Sequence, residues 1–533
     1  MRKYLIRFCL ALCLFLLVAK ATLWSQQQPV AELRGAWIAT VGNIDWPSKP
    51  GLSPDRQKIE FDSLLDVMKA MSMNAVFVQV RPAGDAFYKS ATVPWSKYLS
   101  GFQGVSSGDS LYDPLEYMIK SAHARHMEFH AWLNPYRATF DLDTASLAPN
   151  HPLRALPAAR KAEWFFRYGN KYYFNPANPL VVRYLTNVVQ DIVLRYDVDG
   201  IHFDDYFYPY KEPNQTIDDY TQFAVNPRGF TNIDDWRRNN VNQLIEGVSK
   251  TIKKLKPYCK FGIGPFGVWR NLDKDPINGS DTRTAVTSYD DLYADVLLWL
   301  KNGWIDYVAP QVYWSIGYQP ADYAKIVDWW SKHTYGRQLY IGLAAYKINN
   351  SPNDLAWAQP DQINRQIAIN RANPNVHGNI FFSLKPLMRN QLGIQDSLIT
   401  KLYTLPTLIP PMPHLSKIPP ATPQVCRVLG TPRSVKMAWH ACEVLSGEEM
   451  PYYFGIYRFV GEAVGDFKDP RNLLATTPFD AEKWTFEDFT ALTDEYYTYV
   501  VLAYNRLNVA SYSSEPLYVK KTRAGVRTKR KRV

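Results

Sequence analysis

Two adjacent aspartates at the end of an apolar run are the groups in this 533-residue sequence best suited to chemistry. Residues 199–209 read Asp-Gly-Ile-His-Phe-Asp-Asp-Tyr-Phe-Tyr-Pro. Side chains alternate along an extended strand, which puts His202, Asp204 and Tyr206 on one face and Ile201, Phe203 and Asp205 on the other. A carboxylate at such a strand end suits hydrolysis of a glycosidic bond. The oxocarbenium-like transition state needs an ionised carboxylate within reach, and the leaving oxygen needs a second carboxyl to protonate it. Asp204 is the expected ionised group. Asp205 and Asp85 compete for the acid role, and Asp205 would instead orient a neighbour if the strand stops before it. Loop capping is the plainer reading of an Asp-Asp pair. The company of His202, Tyr206 and Tyr208, beside an Asn-Pro-Tyr-Arg loop, favours function.

Other apolar runs end in the same kinds of residue. Gln79 and Arg81 close one; His130, Asn134, Tyr136 and Arg137 lie along the end of the next; Trp269 and Arg270 follow a third; Gln311, Tyr313 and Trp314 close a fourth. With His202 and Tyr206 these are the expected substrate-binding residues, the rings offering flat, amphipathic platforms for sugars. His130, His202 and Asp204 show neither HxH nor HExxH spacing. No metal site and no cofactor are therefore expected. Asp199 and Asp306 open their runs rather than close them and are expected to be structural.

Eight candidate strands position these groups, at 35–41, 75–81, 128–134, 200–206, 260–265, 307–313, 339–344 and 378–383, each followed by an amphipathic helical pattern. Eight strand-then-helix units predict an α/β fold of the (β/α)8 TIM-barrel class spanning 26–404, whose chemistry gathers at the C-terminal ends of the strands. A doubly wound sheet would carry a Gly-rich phosphate loop after its first strand, and Ala39-Thr40-Val41-Gly42-Asn43 is not one. Prolines crowd 405–423, which predicts an extended linker. Beyond it the apolar period becomes two, as in a small all-β sandwich over 424–520. Val435-Lys436-Met437-Ala438-Trp439, Tyr453 to Arg458 and Tyr497 to Val501 resemble a fibronectin type III domain. Residues 521–533 read as a solvated basic tail.

The formal charge of +11 is misleading. Residues 1–21 hold four basic residues and no acid, 520–533 hold eight basic residues and no acid, and the body between them has a net charge of −1. A nucleic-acid partner is not expected of a neutral body. Met1-Arg2-Lys3 with Arg7, the apolar run Leu10 to Val18 and Ala19-Lys20-Ala21 read as a signal peptide within 1–25 rather than a membrane span. The expectation is an exported protein, periplasmic or associated with the cell surface, with a glycan as its substrate. A lipid anchor at Cys13 is disfavoured by the bulk of Leu12. Three cysteines remain beyond the signal; Cys426 and Cys442 are placed to pair in an exported domain, and Cys259 reads as a buried thiol.

Several long motifs agree in order with one family. Glu32-Leu33-Arg34-Gly35-Ala36-Trp37, Gln79 to Pro82, His130 to Arg137, Asp199 to Pro209, Trp236 to Asn242 and Phe261 to Arg270 together resemble the glycosyl hydrolase-like family 10 proteins. The resemblance implies a glycoside hydrolase barrel in an exported bacterial protein. For at least one relative it implies cleavage of peptidoglycan glycan strands stripped of their stem peptides. Gly262-Ile263-Gly264-Pro265 offers no carboxylate where many retaining barrels place their acid/base. This departure keeps open the reading of a catalytically silent glycan-binding barrel, and the basic run Lys529-Arg530-Lys531-Arg532 keeps open that of a surface adhesin or envelope scaffold touching anionic polymers.

Overall fold

The computed structural model describes residues 28–108, 111–440, 450–479 and 484–529. The expected signal peptide, Cys442 with its pairing to Cys426, and residues 530–533 lie outside them. Ten strands precede the linker among the described residues: β1 (Leu33–Ile38), β2 (Ala75–Arg81), β3 (Glu128–Leu133), β4 (Phe165–Tyr168), β5 (Lys171–Phe174), β6 (Gly200–Phe203), β7 (Lys260–Ile263), β8 (Tyr307–Val308), β9 (Gln338–Leu343) and β10 (Gly378–Phe381). Eight of them close a parallel barrel in the order β1-β2-β3-β6-β7-β8-β9-β10, with β10 pairing back onto β1. All eight expected strands are present. Several end early, β6 at Phe203 instead of residue 206 and β8 after two residues. The hairpin β4–β5 is an addition inside the loop after β3, turning through Gly169 at φ +59°, where glycine suits the first position of a tight hairpin turn.

The outer helices start where the sequence places a capping side chain before proline. Ser53, Asp113 and Asn178 each accept a backbone N–H from the first turn of Pro54–Ala70, Pro114–His123 and Pro179–Arg195. Such a cap contributes about 1 kcal/mol, and proline at the first helical position gives up only an N–H that has no partner there anyway. The helices lay apolar residues such as Phe61, Leu65, Val189 and Ile192 against the strands.

The barrel interior is filled by flat rings. Phe77 stacks on His130 at 4.4 Å between centroids, and Tyr307 stacks on His202 at 5.9 Å. Glycines make the room. A Cβ on Gly262 would lie 2.0 Å from the Tyr307 ring, one on Gly200 would lie 2.4 Å from His130 Nδ1, and one on Gly264 would lie 2.9 Å from His202 Nε2. This accounts for the missing carboxylate on the fifth barrel strand, β7: its inward positions have been surrendered to rings carried by its neighbours.

Beyond the linker, β11 (Gln424–Gly430), β12 (Val435–His440), β13 (Tyr453–Val460), β14 (Leu473–Pro478), β15 (Thr485–Asp488), β16 (Tyr496–Tyr504), β17 (Leu517–Thr522) and β18 (Gly525–Lys529) form two antiparallel sheets, β11-β12-β15 and β14-β13-β16-β17-β18. Met437, Trp439, Phe454, Ile456 and Val501 pack between them. The basic segment departs from expectation, because Gly525–Lys529 pairs with β17 through a turn that Gly525 makes at φ +129°. This all-β domain docks on the barrel base. Arg506, in the turn after β16, donates to Asp197 and, at 3.3 Å, to Asp199, and its guanidinium lies over Tyr452 and Tyr258.

Gly262→Ala is expected to cost about 3 kcal/mol, since a methyl driven into a packed ring forces strain. Gly247→Ala, on helix Ile233–Leu255 with only Thr186 Oγ1 at 3.5 Å, should gain about 0.5–1 kcal/mol. Urea unfolding of both variants checks this, and equal midpoints would overturn the account of the interior.

Candidate active site

A cavity of about 430 Å³ opens at the C-terminal ends of the barrel strands. It brings together nine of the expected residues: Gln79, Arg137, His202, Asp204, Asp205, Tyr206, Gln311, Tyr313 and Trp314. Trp37, Trp132, Tyr210, Phe266, Tyr346, Lys347 and Phe382 also line it. A larger cavity of about 900 Å³ lies at the opposite pole, between the barrel base and the C-terminal domain. Its carboxylates there are already paired, Glu128 with Lys260 and Asp197 with Arg506, so the aspartates of the smaller cavity are the reactive candidates.

The early end of β6 decides the geometry. Strict alternation would have turned Asp205 away from Asp204, but the chain leaves the sheet after Phe203 and both carboxyls face the cavity. Asp204 is 5% exposed and accepts from Trp132 Nε1 at 3.1 Å and Asn134 Nδ2 at 3.3 Å. Asp205 is 3% exposed and accepts from the Tyr210 hydroxyl. Burial and the neighbouring charge of Asp205 push Asp204 up to about 7. Burial raises Asp205 as well, opposed by hydrogen bonds from Tyr210 and Gln311 that favour its charged form. Asp205 therefore ionises first, and its charge holds the proton on Asp204. Of the two carboxyls, Asp204 is the one that keeps its proton to the higher pH.

The remaining expected residues stand outside the cavity lining. Asp85 is fully buried, accepts from Gln103 Nε2 at 3.4 Å and is raised by burial. Arg81 donates to the carbonyls of Asn134 and Pro135 at 2.7 and 3.1 Å, fixing the loop from which Asn134 reaches Asp204. Tyr136 is buried within that loop. His130 lies deeper in the barrel against Glu128 and Tyr307. Trp269 stacks on Trp329 at 5.9 Å, and Arg270 pairs with Asp290 at 3.0 Å. Trp269 is thus covered by the helix Tyr323–Lys332, and Arg270 is held by its ion pair away from the cavity lining.

Two cations line the cavity. Arg137 lies over the Tyr206 ring at 4.5 Å, and Lys347 donates to the Tyr313 carbonyl at 2.7 Å. Trp37, Tyr346, Lys347 and Phe382 were absent from the sequence expectation. They belong to the ends of β1, β9 and β10, and the strand-end criterion that found Gln79 and Gln311 applies to them unchanged.

A family profile described as glycosyl hydrolase-like 10 matches residues 32–359. The chain is 45% identical over 520 residues to glycosyl hydrolase YngK of Bacillus subtilis (strain 168), covering 96% of this chain and 98% of that protein. It is 37% identical over 374 residues to glycosyl hydrolase DigH of Escherichia coli (strain K12), covering 67% of this chain and 84% of that protein. Among solved structures, the glycoside hydrolase domain of PgaB (BpsB) from Bordetella bronchiseptica aligns with TM-score 0.43 and 12% identity over 70% of this chain and 99% of that one. By its profile match and by the extent of its identity to these relatives, the chain belongs to the glycosyl hydrolase-like 10 family.

Proposed function

We propose that this protein is an exported glycoside hydrolase that cuts the glycan strands of bacterial cell wall. The observation that carries the reading is the Asp204–Asp205 pair, two buried carboxyls of unequal acidity in a ring-walled cavity. Asp204, still protonated near neutral pH, donates its proton to the leaving glycosidic oxygen. Asp205, ionised, faces the positive charge that develops on the sugar. Trp37, Trp132, Tyr313 and Trp314 present ring surfaces to the sugars. Arg137 and Lys347 favour a glycan that carries carboxylates. Cell-wall strands acquire such groups when loss of the stem peptide bares the lactyl ether.

Digestion of peptide-free peptidoglycan, with products read by mass spectrometry, tests the reading. Wild type should release short saccharides, and Asp204→Asn should slow release by at least about 10²-fold. Products from neither protein, with glycan binding retained, would leave a binding barrel in place of an enzyme. Lys347→Met should raise KM about fivefold on carboxylate-bearing strands, a loss of order 1 kcal/mol, and leave an uncharged chitin-type oligosaccharide unaffected; an equal change on both would remove the lactyl argument.

The acidity order gives a signed pH dependence. A general acid must hold its proton, so activity should fall as pH rises through about 7. Asp205→Asn removes the charge that raises Asp204, so the Asp204 titration, followed by carboxyl 13C NMR, should move to lower pH. A titration that stays put would show that Asp205 exerts no such influence.

A further inference from the structure

A single file of hydrogen bonds runs along the barrel axis from the C-terminal domain to the cavity. Asn508 Nδ2, in the turn after β16, donates to Glu128 Oε1 at 3.1 Å, and Lys260 donates to the same oxygen. Glu128 Oε2 lies 3.2 Å from His130 Nε2, His130 Nδ1 lies 2.9 Å from the Tyr307 hydroxyl, and that hydroxyl lies 3.1 Å from His202 Nδ1. His202 Nε2 accepts from Trp37 Nε1 at 3.2 Å, and Trp37 lines the cavity. Glu128, His130, Tyr307 and His202 are each at most 2% exposed.

The direction of every proton in this file follows from its two ends. An indole N–H only donates, so His202 Nε2 is bare and His202 carries its proton on Nδ1. At the base a carboxylate only accepts, so His130 carries its proton on Nε2 and presents a bare Nδ1. Tyr307 then accepts from His202 and donates to His130. Both ends demand the same order, and one hydroxyl satisfies both. Burial keeps the two imidazoles neutral. The other charged groups at the base are spoken for, Asp199 by His123 and Arg506 and Asp306 by Lys253.

We propose that Glu128, fixed by Lys260 and by Asn508 of the C-terminal domain, is a positioning residue that acts through His130, Tyr307 and His202 to aim the Trp37 indole at the cavity floor. The C-terminal domain thereby becomes part of the active-site architecture although its nearest contact lies at the far end of the barrel. The role of Trp37 as a sugar floor rests on the glycan reading; the proton order does not.

Glu128→Gln is the decisive variant, because it reverses the file without changing its shape. Lys260 and Asn508 both need an acceptor, which pins the new amide oxygen toward them and turns its NH2 toward His130. His130 must then move its proton to Nδ1, Tyr307 must turn to donate to His202, and His202 must protonate Nε2 against the Trp37 N–H. In the intact chain, 15N NMR of the histidines should show the Nδ1–H form of His202 in wild type and the Nε2–H form in Glu128→Gln. Tyr307→Phe cuts the file, so adding Glu128→Gln to it should leave His202 as Nδ1–H. On peptide-free glycan, Glu128→Gln should raise KM about tenfold with kcat within about twofold, and Asn508→Gly, which keeps the backbone's φ of +62°, should raise it about threefold. Neither should add to Tyr307→Phe. A wild-type His202 protonated on Nε2 would overturn the proposal outright, even if Glu128→Gln does not fold. So would variant effects that add in full to that of Tyr307→Phe. Correct tautomers with no cleavage by any protein would instead overturn the glycan reading alone.

Discussion

The hydroxyl of Tyr307 accepts from one imidazole and donates to another at the centre of the barrel, and much of the molecule is arranged around keeping it there. Three rings side by side need more width than an eight-stranded barrel offers when every inward position bears a side chain. Gly200, Gly262 and Gly264 give that width. Because β7 yields its inward positions to rings from β6 and β8, the carboxyls come instead from the place where β6 stops. In the file from Glu128 to Trp37 each donor meets an acceptor. An orphaned buried group would cost about 1–3 kcal/mol, against about 1 kcal/mol gained per satisfied bond.

The two poles of the barrel treat acids in opposite ways. At the base, burial alone would raise Glu128, Asp199 and Asp306, yet Lys260, His123 with Arg506, and Lys253 hold all three below the ordinary carboxylate range. At the cavity end Asp204 and Asp205 are raised, and so are Asp85 and Asp45, because burial outweighs the donors that face them. Ion pairs hold the acids at one end charged, and burial keeps those at the other end reluctant to ionise, a contrast that marks the cavity end as the candidate site.

Strand order, helix placement and the aspartate pair were readable because each rests on local periodicity or on a rule about strand ends. The exact stopping point of β6 was not, since nothing in His-Phe-Asp-Asp-Tyr distinguishes one more extended residue from a turn. That single difference brought Asp205 to the same side as Asp204. The acidity order was equally hidden, because it depends on Tyr210 and Gln311 arriving from outside the motif. Trp269 looked like a rim residue by its place in sequence, but Trp329 from a distant helix covers it. The basic run before the C-terminus concealed a strand, because charge dominates its composition while Val526 and the turn at Gly525 set its conformation. The hairpin around Gly169 was missed as well, because it lies inside the long loop after β3 and belongs to no strand-then-helix unit.

Everything appended to the barrel enters at one pole. Residues 28–32 lead into β1 beside the linker, with Ala31 bridged to Leu408 and Arg34 bonded to Glu32 and to the Leu405 carbonyl. The C-terminal domain seats on the same end through Arg506 and Asn508. The described segments that enter and leave the barrel are thus gathered at its base, opposite the mouth. Among the described residues, neither that entry segment nor the linker nor the C-terminal domain contributes to the cavity lining, so whatever binds at the mouth meets barrel residues alone.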